Sequence, residues 1–555
     1  MLNIKLPSGV VQIFEEGIRP LDIASKVQSQ FSAPIVEGIF NNVETDLQTP
    51  LTKDGSIDFI TLNNELGMRV YANTLLMMLL STCRKYYPHV DLEVRNTLGA
   101  ALYVKIVRGS LSNEDILNLQ MLMVNLVQKH TPITMQKITR DECLALNLDP
   151  NCDEDRKGIV GLLQEEEKVN LYELLGNRAF FFGKLCPHCG YVSKFELFPW
   201  DEGVIINYPR PHMWHDLVHF GDNHELIHKV FQESNEWAHL IHCGTVASFN
   251  RVNRLGYSNK VILVAEALHE KKIIAMADEI AAKKDKVKLV LIAGPSSSGK
   301  TSTCQRLSIH LGVNGLRTIP LSMDDYYLER EKTPRKADGS YDFECVEAID
   351  LPLFNEHMKK LLAGESVRMP KYNFKTGLRE WKEQELQLHD GEILLVEGIH
   401  GLNPRLTESI PRENKIKIYV SALTPMSLDN YNRINTTDVR LMRRMVRDNQ
   451  FRSHNALKTL ELWDDVRAGE EKYIFPFQDS ADLMFNTTLI YELAVLKKYA
   501  EPLLKDVPYE SGKPYMTAQR LLLLLKSVET IDDSDIPNTS ILREFVGGSV
   551  FRDAL

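Results

Sequence analysis

Short apolar runs and longer amphipathic stretches alternate along the C-terminal half of the chain. Four runs have the length and composition of buried strands, at residues 288–293, 318–323, 393–396 and 416–420, and residues 302–313 have helical spacing. Strands that are apolar on both faces and separated by helices are typical of a parallel sheet covered on both sides. The pattern therefore predicts an α/β fold with helices on both faces of the sheet.

The N-terminal half has a different pattern. Ile4, Leu6, Val11 and Ile13 alternate with polar residues around a Pro-Ser-Gly turn, which predicts a hairpin. Farther along the chain, residues 70–86 are apolar almost all round, and residues 116–130 are rich in Leu and Met. Both stretches predict helices, the first of them buried.

These patterns divide the chain into five expected units. They are a β-rich module at 1–62, an α+β domain at 63–250, a helical connector at 251–286, an α/β domain at 287–490 and a helical extension at 491–555. The charged stretch at 283–286 marks the boundary before the α/β domain. The apolar helix of the extension indicates either packing on the preceding domain or a contact in a homo-oligomer.

Composition limits the classes of protein that fit. Of 555 residues, 44% are hydrophobic and 25% are charged, and the net charge is -10. This charge argues against sequence-blind binding to nucleic acid, which needs a basic face. No apolar run approaches the roughly 18 residues of a membrane span. Eight cysteines scattered along a long chain fit reduced thiols, so we expect a cytoplasmic protein.

One motif carries most of the chemical information. Residues 294–301 read GPSSSGKT and match the phosphate-binding pattern G-x-x-x-x-G-K-[ST], after a predicted strand and before a predicted helix. Glycines let the backbone N–H groups surround phosphate oxygens, and the helix N-terminus adds its dipole. Lys300 is expected to reach the β- and γ-phosphates, and the Thr301 hydroxyl to bind Mg²⁺. The expected nucleotide-binding residues are Gly294, Pro295, Ser296, Ser297, Ser298, Gly299, Lys300, Thr301 and Ser302.

Carboxylates follow two of the other strands. Asp324 and Asp325 come after the strand at 318–323, and Glu397 ends the strand at 393–396. Ligands of doubly wound sheets bind at the carboxyl ends of the strands. Asp324 could therefore accept the proton of an acceptor hydroxyl, and Glu397 could hold Mg²⁺ through water.

An arginine-rich helix comes next. Four of its arginines share one face, and a fifth follows: Arg440, Arg443, Arg444, Arg447 and Arg452. Guanidinium groups suit transferring phosphoryl groups, so we predict a basic lid that closes over the nucleotide. The alternative is a surface helix with ion pairs to Asp438 and Asp448.

Taken together, these motifs resemble the uridine kinase / phosphoribulokinase family of P-loop kinases over residues 288–490. The resemblance rests on the phosphate loop and on four further segments, at residues 324–327, 369–374, 395–398 and 443–448.

The resemblance implies a role for each matching residue. The groups expected to act in phosphoryl transfer are Asp324 as general base, Lys300 and Arg447. Thr301 and Glu397 match the magnesium site. Residues matching the acceptor side are Asp324, Tyr327, Glu344, Tyr372, Arg444, Arg447 and Arg452. The implied donor is ATP or GTP with Mg²⁺, and the implied acceptor is a nucleoside, first uridine or cytidine.

Two departures leave the acceptor's base open. Gly377 stands where pyrimidine-selective members carry a His against the base, and His454 stands where they carry a second lid Arg. A purine nucleoside, another sugar-like hydroxyl acceptor, and a synthetase-derived protein that only senses nucleotide or associates with RNA stay open as alternatives.

The N-terminal half resembles parts of threonyl-tRNA synthetases. Residues 4–9, 14–17 and 20–24 are similar to a TGS domain of β-grasp fold, and residues 63–250 are more weakly similar to the editing domain. That family's H-x-x-x-H pair is replaced here by Tyr71 and Leu75, so we expect the editing site to be lost.

Cysteine and histidine residues are concentrated near residues 186–242. Cys186, His188 and Cys189 form a CxxC with an internal His, and half of the 16 histidines lie between 188 and 242. Zinc usually needs a second such pair, which the chain lacks. His215/His219 and His224/His228 have the spacing of one helix face. We leave metal binding here as an open question.

Overall fold

The structure is a computed structural model that describes residues 1–99, 101–149, 152–221 and 224–551. The first unit is a five-stranded sheet of order β2-β1-β5-β3-β4 with one helix packed on it. Its β1 and β2 are antiparallel, while β1 and β5 are parallel, as expected of a β-grasp module. Its elements are β1 (Leu2–Lys5), β2 (Val11–Phe14), α1 (Pro20–Val27), β3 (Ile35–Phe40), β4 (Val43–Thr45) and β5 (Gly55–Thr61).

In β2, the apolar residues that the alternation predicts to be buried are exposed. Ile4 is fully buried, but Val11 and Ile13 are 59% and 63% exposed, and β2 contributes Phe14 to the core instead. The reason is that β2 is an edge strand that pairs only with β1, so most of its length faces solvent.

The second unit packs helices against antiparallel sheets of order β11-β12-β7-β6 and β10-β9-β8. Helix α2 lies in the centre, and most of its side chains are buried, as its all-round apolar pattern predicts. The elements are α2 (Glu65–Tyr86), β6 (Asp91–Leu98), β7 (Ala101–Arg108), α3 (Asn113–Gln128), β8 (Thr134–Thr139), α4 (Arg140–Ala145), α5 (Asp153–Val160), β9 (Lys168–Leu174), β10 (Asn177–Phe180), β11 (Glu196–Trp200), β12 (Gly203–Asn207), α6 (Glu225–Leu240) and α7 (Val246–Arg254). The long helix α8 (Ser258–Ala281) follows in the predicted connector and packs in the hydrophobic cluster of the third unit.

The third unit is built on a fully parallel five-stranded sheet of order β14-β17-β13-β18-β19. Its elements are β13 (Leu289–Ala293), α9 (Lys300–Val313), β14 (Arg317–Ser322), α10 (Leu351–Leu362), the hairpin β15 (Val367–Asn373) and β16 (Leu378–Leu386), β17 (Glu392–Glu397), β18 (Lys415–Ser421), α11 (Thr436–Phe451), α12 (Ala456–Tyr473), β19 (Leu483–Asn486), α13 (Glu492–Lys505), α14 (Lys513–Lys526) and α15 (Arg543–Val546).

Both faces of this sheet are covered, which explains its wholly apolar strands. In β13, Leu289 and Leu291 face one hydrophobic cluster, while Val290 and Ile292 face another. Because successive side chains of a strand point to opposite faces, a strand covered on both sides needs apolar residues at every position. The predicted α/β architecture is confirmed.

The C-terminal helices belong to the same core. Leu504, Leu521, Ile541 and Phe545 are fully buried in the cluster that contains one face of the parallel sheet. Of the two alternatives left open for the extension, the structure shows packing on the α/β domain. In the part of the chain that the structure describes, no helix has the length and apolar character needed to cross a membrane.

Candidate active site

The phosphate loop joins β13 to α9 and needs glycine at two places. A Cβ on Gly294 would lie 1.9 Å from the carbonyl oxygen of Val420, and one on Gly299 would lie 2.6 Å from Cγ2 of Ile541. Gly299 also has a φ of +83°, in the left-handed region that favours glycine. The loop is thus held in shape by β18 on one side and by the C-terminal segment on the other.

Polar groups of the loop are directed toward its interior. Lys300 Nζ donates to the carbonyls of Gly294 (3.0 Å) and Pro295 (3.2 Å). The buried hydroxyl oxygens of Ser297 and Ser298 have no protein partner among the described residues. Burial lowers the pKa of Lys300, an effect opposed by the nearby Glu397 carboxylate. Buried hydroxyls without a partner, in the same loop as a lysine ammonium, are groups that a bound phosphate would satisfy.

Thr301 and Glu397 lie side by side at the start of α9 and the end of β17. The Thr301 hydroxyl is 3.2 Å from both carboxylate oxygens of Glu397. Burial raises the pKa of Glu397 to about 7, although the Lys300 ammonium opposes the shift. A hydroxyl and a carboxylate that meet in this way offer the kind of oxygen ligands that Mg²⁺ prefers.

Asp324 follows β14 at the carboxyl edge of the same sheet. Asp324 is exposed, yet desolvation by the surrounding protein raises the pKa of its carboxyl, while the Lys300 ammonium lowers it. The neighbouring Asp325 points elsewhere and lies 3.5 Å from the Lys382 ammonium. Of the two adjacent acids, only Asp324 is therefore placed with the phosphate loop.

The arginines of α11 divide into two groups, which corrects the prediction of a continuous basic lid. Arg440 and Arg443 are fully buried and form ion pairs with Glu470 and Glu492. They were expected to share a lid face with Arg444, but instead they fix α11 to α12 and α13. A buried guanidinium without such a carboxylate would be costly, so these two arginines are structural.

Arg440 and Glu470 also support the phosphate loop directly. The Arg440 guanidinium donates to the Ser296 carbonyl (3.1 Å), and the Ser296 N–H donates to Glu470 (3.0 Å). Arg444 adds a third contact by donating to the Ser296 hydroxyl (2.8 Å). The backbone of Ser296 is therefore held on both sides by one buried ion pair.

Arg447 and Arg452 are the other predicted arginines. Asp448 holds Arg447 at 2.9 Å and lies 3.6 Å from Arg452, which is 54% exposed just beyond the end of α11. Arg447 is close enough to Lys300 to lower its pKa, and Arg452 acts in the same direction on Asp324. Both arginines lie near the transfer site, and their roles stay predictions.

Aromatic rings line the predicted acceptor side. The ring of Tyr327 lies 5.6 Å from that of Tyr372 and 6.2 Å from that of Phe374, which is 60% exposed. The Tyr372 hydroxyl is buried without a partner among the described residues. Burial raises the pKa of Glu344 to about 7, and the nearby Glu470 adds to this shift. Together these residues offer a stacking surface and polar groups suited to a small polar acceptor.

The two departures from the family pattern have structural counterparts. Gly377 lies in the turn of the β15–β16 hairpin with φ +74°, and a Cβ there would lie 2.9 Å from Arg330 Cβ. A His at this position would be strained and crowded. The guanidinium of Arg330 covers the turn and donates to the Phe374 carbonyl at 2.9 Å. His454 lies beyond the end of α11, where its N–H donates to the Asp448 carbonyl.

One contributor to the site was missed in the sequence. Glu544 of α15 accepts hydrogen bonds from the Ser302 N–H (3.1 Å) and the Ser302 hydroxyl (2.8 Å). Phe545 packs under the Arg443 guanidinium, 5.0 Å from the ring centroid. The only sequence signal was a charged and aromatic tripeptide before Gly547 and Gly548, and nothing local connects it to a loop some 240 residues earlier.

Tyr71 and Leu75, which replace the expected H-x-x-x-H pair, lie in the second unit. Tyr71 and Leu75 are almost completely buried in α2, and the Tyr71 hydroxyl exchanges hydrogen bonds with the backbone of Lys194. Both side chains therefore pack in the protein interior.

The Cys and His residues do not form a metal cluster among the described residues, where no group of three or more His, Cys, Asp or Glu side chains could hold an ion. Burial raises the pKa values of Cys186 and Cys189 to about 12, which keeps both thiols protonated. The helical spacing of His215 and His219 was misleading, because their segment is irregular and α6 begins only after His224.

Comparison with known proteins gives one answer for each half. Residues 289–492 match the model of the Phosphoribulokinase / Uridine kinase family. The N-terminal half matches threonine–tRNA ligases. That of Bacillus velezensis is 26% identical over 202 residues, which are 36% of this chain and 31% of the relative, and that of Enterococcus faecalis is 24% identical over 198 residues, which are 35% and 30%. The chain thus spans under a third of the length of these relatives.

Two solved structures of kinases are also similar. A possible uridine kinase from Bacillus stearothermophilus is 19% identical with a TM-score of 0.26, and the match covers 39% of this chain and 98% of that one. D-glycerate 3-kinase from Cryptococcus neoformans is 15% identical with a TM-score of 0.22, covering 45% and 87%. Residues 289–492 are a Phosphoribulokinase / Uridine kinase family domain, joined to an N-terminal half that is similar to threonine–tRNA ligases.

Proposed function

We propose that the protein is a nucleoside kinase, which transfers the γ-phosphate of ATP or GTP to the 5′-hydroxyl of a nucleoside, with uridine or cytidine as the first candidates. The observation that carries the proposal is the meeting of Lys300, Asp324 and Glu397 at one edge of the parallel sheet. Ser322, two residues before Asp324, pairs with Glu397 at the ends of β14 and β17, and the hydroxyl of Thr301, next to Lys300, lies 3.2 Å from Glu397. The mutual effects of these groups on their pKa values agree with this arrangement.

The division of work among these residues follows from in-line phosphoryl transfer, in which positioning and charge stabilisation matter most. The loop N–H groups and Lys300 hold the donor phosphates. Thr301 and Glu397 are the residues that would hold Mg²⁺, which would offset phosphate charge when bound. Asp324 accepts the proton of the acceptor hydroxyl, and Arg447 stabilises charge on the transferred group.

The acceptor side supports a nucleoside. Tyr327, Tyr372 and the exposed Phe374 offer rings for a planar or sugar-like group, and Glu344 is placed to accept hydrogen bonds from ribose hydroxyls. Burial and the neighbouring Glu470 favour the protonated form of Glu344, which can donate a hydrogen bond to a ribose hydroxyl as well as accept one from it.

A second acceptor class is favoured by the hairpin turn. Arg330 lies over Gly377, where a pyrimidine-selective site would hold a His. A cationic group at this place suits a sugar-like acceptor that carries negative charge. The alternative function is therefore a kinase for another small hydroxyl compound.

The test is a phosphotransfer screen of the full chain with ATP and GTP over nucleosides and sugar phosphates. Asp324→Asn should lower kcat by about 10²–10⁴-fold, the usual contribution of a general base, with nucleotide affinity almost unchanged. Asp325→Asn is the matched control, because it removes an ion pair with Lys382 and a like charge that raises the pKa of Asp324, but leaves the Asp324 carboxylate itself in place. Wild-type turnover of Asp324→Asn would contradict the assigned base. Absence of any phosphorylated acceptor would favour a protein that only senses nucleotide.

A further inference from the structure

A large cavity lies between the two halves of the chain, and its walls come from both. Its volume is about 1180 Å³, and residues 294–302 of the phosphate loop are not part of its lining. The N-terminal half contributes one face of α2 and the segment after β12, including Tyr208 and Arg210. The C-terminal half contributes Arg433, the start of α11 and part of α14.

At one part of the cavity, the arginine side chains carry more positive charge than the neighbouring carboxylates neutralise. Asp438, in the first turn of α11, is bound by Arg69 (3.1 Å) and also by Arg520. Two guanidinium groups thus share one carboxylate. Two more arginines, Arg210 and Arg433, have no ion pair with any carboxylate among the residues that the structure describes.

The remaining acids of the lining do not cancel this excess. Glu471 and Glu65 lie 2.9 and 3.6 Å from Arg467, and Arg210 is also near enough to Glu471 to lower its pKa. Asp479 faces His224 at 4.0 Å. Glu37 and Glu44 lie beside Arg520, and burial raises the pKa of Glu37 well above its usual range. Among the described residues, Arg210 and Arg433 are therefore the lining arginines that have no carboxylate within the 4.0 Å of an ion pair, although Glu471 and Asp438 are near enough to interact with them.

The start of α11 adds donors of the same sign. Asn435, Thr436 and Thr437 line the cavity, and Asn435 makes no side-chain cap on the helix. The first N–H groups of a helix lack intrahelical partners and carry the positive end of its dipole. Helix α11 has 16 residues, so this end effect is fully developed.

We propose that this cavity is a second anion-binding site, which takes a phosphate-bearing small molecule between Arg210, Arg433 and the first turn of α11. Planar guanidinium forks and a helix N-terminus are both suited to phosphate oxygens. The volume exceeds that of inorganic phosphate and suits a nucleotide-sized molecule, since ligand pockets typically span about 300–1,000 Å³. Tyr208, whose ring lies 6.5 Å from that of Tyr71, offers an aromatic surface beside the arginines.

Helix α11 connects this site to the phosphate loop, so a ligand bound in the cavity would affect the kinase half through this helix. The first turn of α11 lies at the cavity, and two turns later Arg444 donates to the Ser296 hydroxyl of the phosphate loop. A ligand that draws Arg433 and the helix start together therefore acts on a helix that already supports the loop. The existence of the site does not depend on the acceptor of the kinase.

The experiment measures binding of AMP to the full chain in a Lys300→Ala background, which weakens phosphate binding at the loop. Hydrogen exchange should show AMP-dependent protection in peptides covering residues 206–213 and 433–439. Arg210→Gln with Arg433→Gln should weaken this binding about tenfold or more, because two charge-assisted contacts are lost. Arg317→Gln, at an 84% exposed side chain, is the matched control and should leave affinity unchanged.

Further measurements separate the outcomes. Inorganic phosphate should compete with AMP and adenosine should not, because the phosphate group is what the arginines recognise. Each single variant should have an intermediate affinity, which guards against a double variant that folds poorly. The proposal is overturned if AMP gives no saturable protection at 206–213 and 433–439 in the Lys300→Ala protein. It is equally overturned if the double variant binds AMP as the Lys300→Ala protein does.

Discussion

The buried pair of Arg440 and Glu470 allows a sharp test, because the adjacent Glu471 provides a matched control. The side chain of Glu470 is 1% exposed and that of Glu471 is 47% exposed, yet both lie on α12 and both contact Arg467 at 2.9 Å. Glu470→Gln leaves the equally buried Arg440 without its carboxylate. Breaking one side of a buried pair costs about 3–5 kcal/mol, whereas an exposed pair is worth about 0–1 kcal/mol.

The measurement is the free energy of opening α11 and α12, from hydrogen exchange combined with urea titration of each variant. Glu470→Gln should lower this free energy by about 3–5 kcal/mol, and Glu471→Gln by at most about 1 kcal/mol. Nucleotide affinity should fall with Glu470→Gln alone, because Arg440, which donates to the Ser296 carbonyl, loses the carboxylate that holds it in place. Equal costs for the two variants would refute the assignment of loop support to this pair.

Three further predictions concern the site. Glu544→Gln removes the negative charge beside Ser302 but keeps a hydrogen-bond acceptor there. Because that charge repels phosphate, the KM for the nucleotide should fall in steady-state kinetics, and an increase would mean that the carboxylate supports binding. Because the pKa of Glu397 is about 7, a proton competes with Mg²⁺, and apparent Mg²⁺ affinity should fall about tenfold per pH unit below about pH 7. The raised pKa also means that ionised Glu397 destabilises the ligand-free fold progressively as the pH rises from 4.5 to about 7. Glu397→Gln should therefore stabilise the ligand-free protein at about pH 8 by roughly 3 kcal/mol in urea unfolding, and unchanged stability would contradict this.

Local patterns predicted the features that depend on neighbours in sequence. The phosphate loop, its strand and its helix all lie within residues 289–313, and the apolar composition of the sheet strands by itself predicts that they are buried. Asp324 and Glu397 could be placed together because parallel strands end at one edge. Their roles in transfer stay predictions.

Features that depend on distant pairing could not be predicted. By helical spacing, Arg440, Arg443 and Arg444 all lie on one face of α11. Only the folded structure shows that Glu470 and Glu492 pair with the first two, which makes those two arginines structural. The same limit applies to the exposed phase of β2 and to the histidines before α6. In each case tertiary surroundings, rather than periodicity, decide the environment of the residue.

The contact between Ser302 and Glu544 has a consequence for synthesis of the chain on the ribosome. The two residues are 242 positions apart, so at about 5–20 residues per second, roughly 10–50 s pass after the phosphate loop is made before its carboxylate partner exists. During that interval the surfaces that receive Ile541 and Phe545 are open. The nascent kinase half therefore spends much of its synthesis with an exposed apolar groove, which is a natural point for chaperone binding or for aggregation.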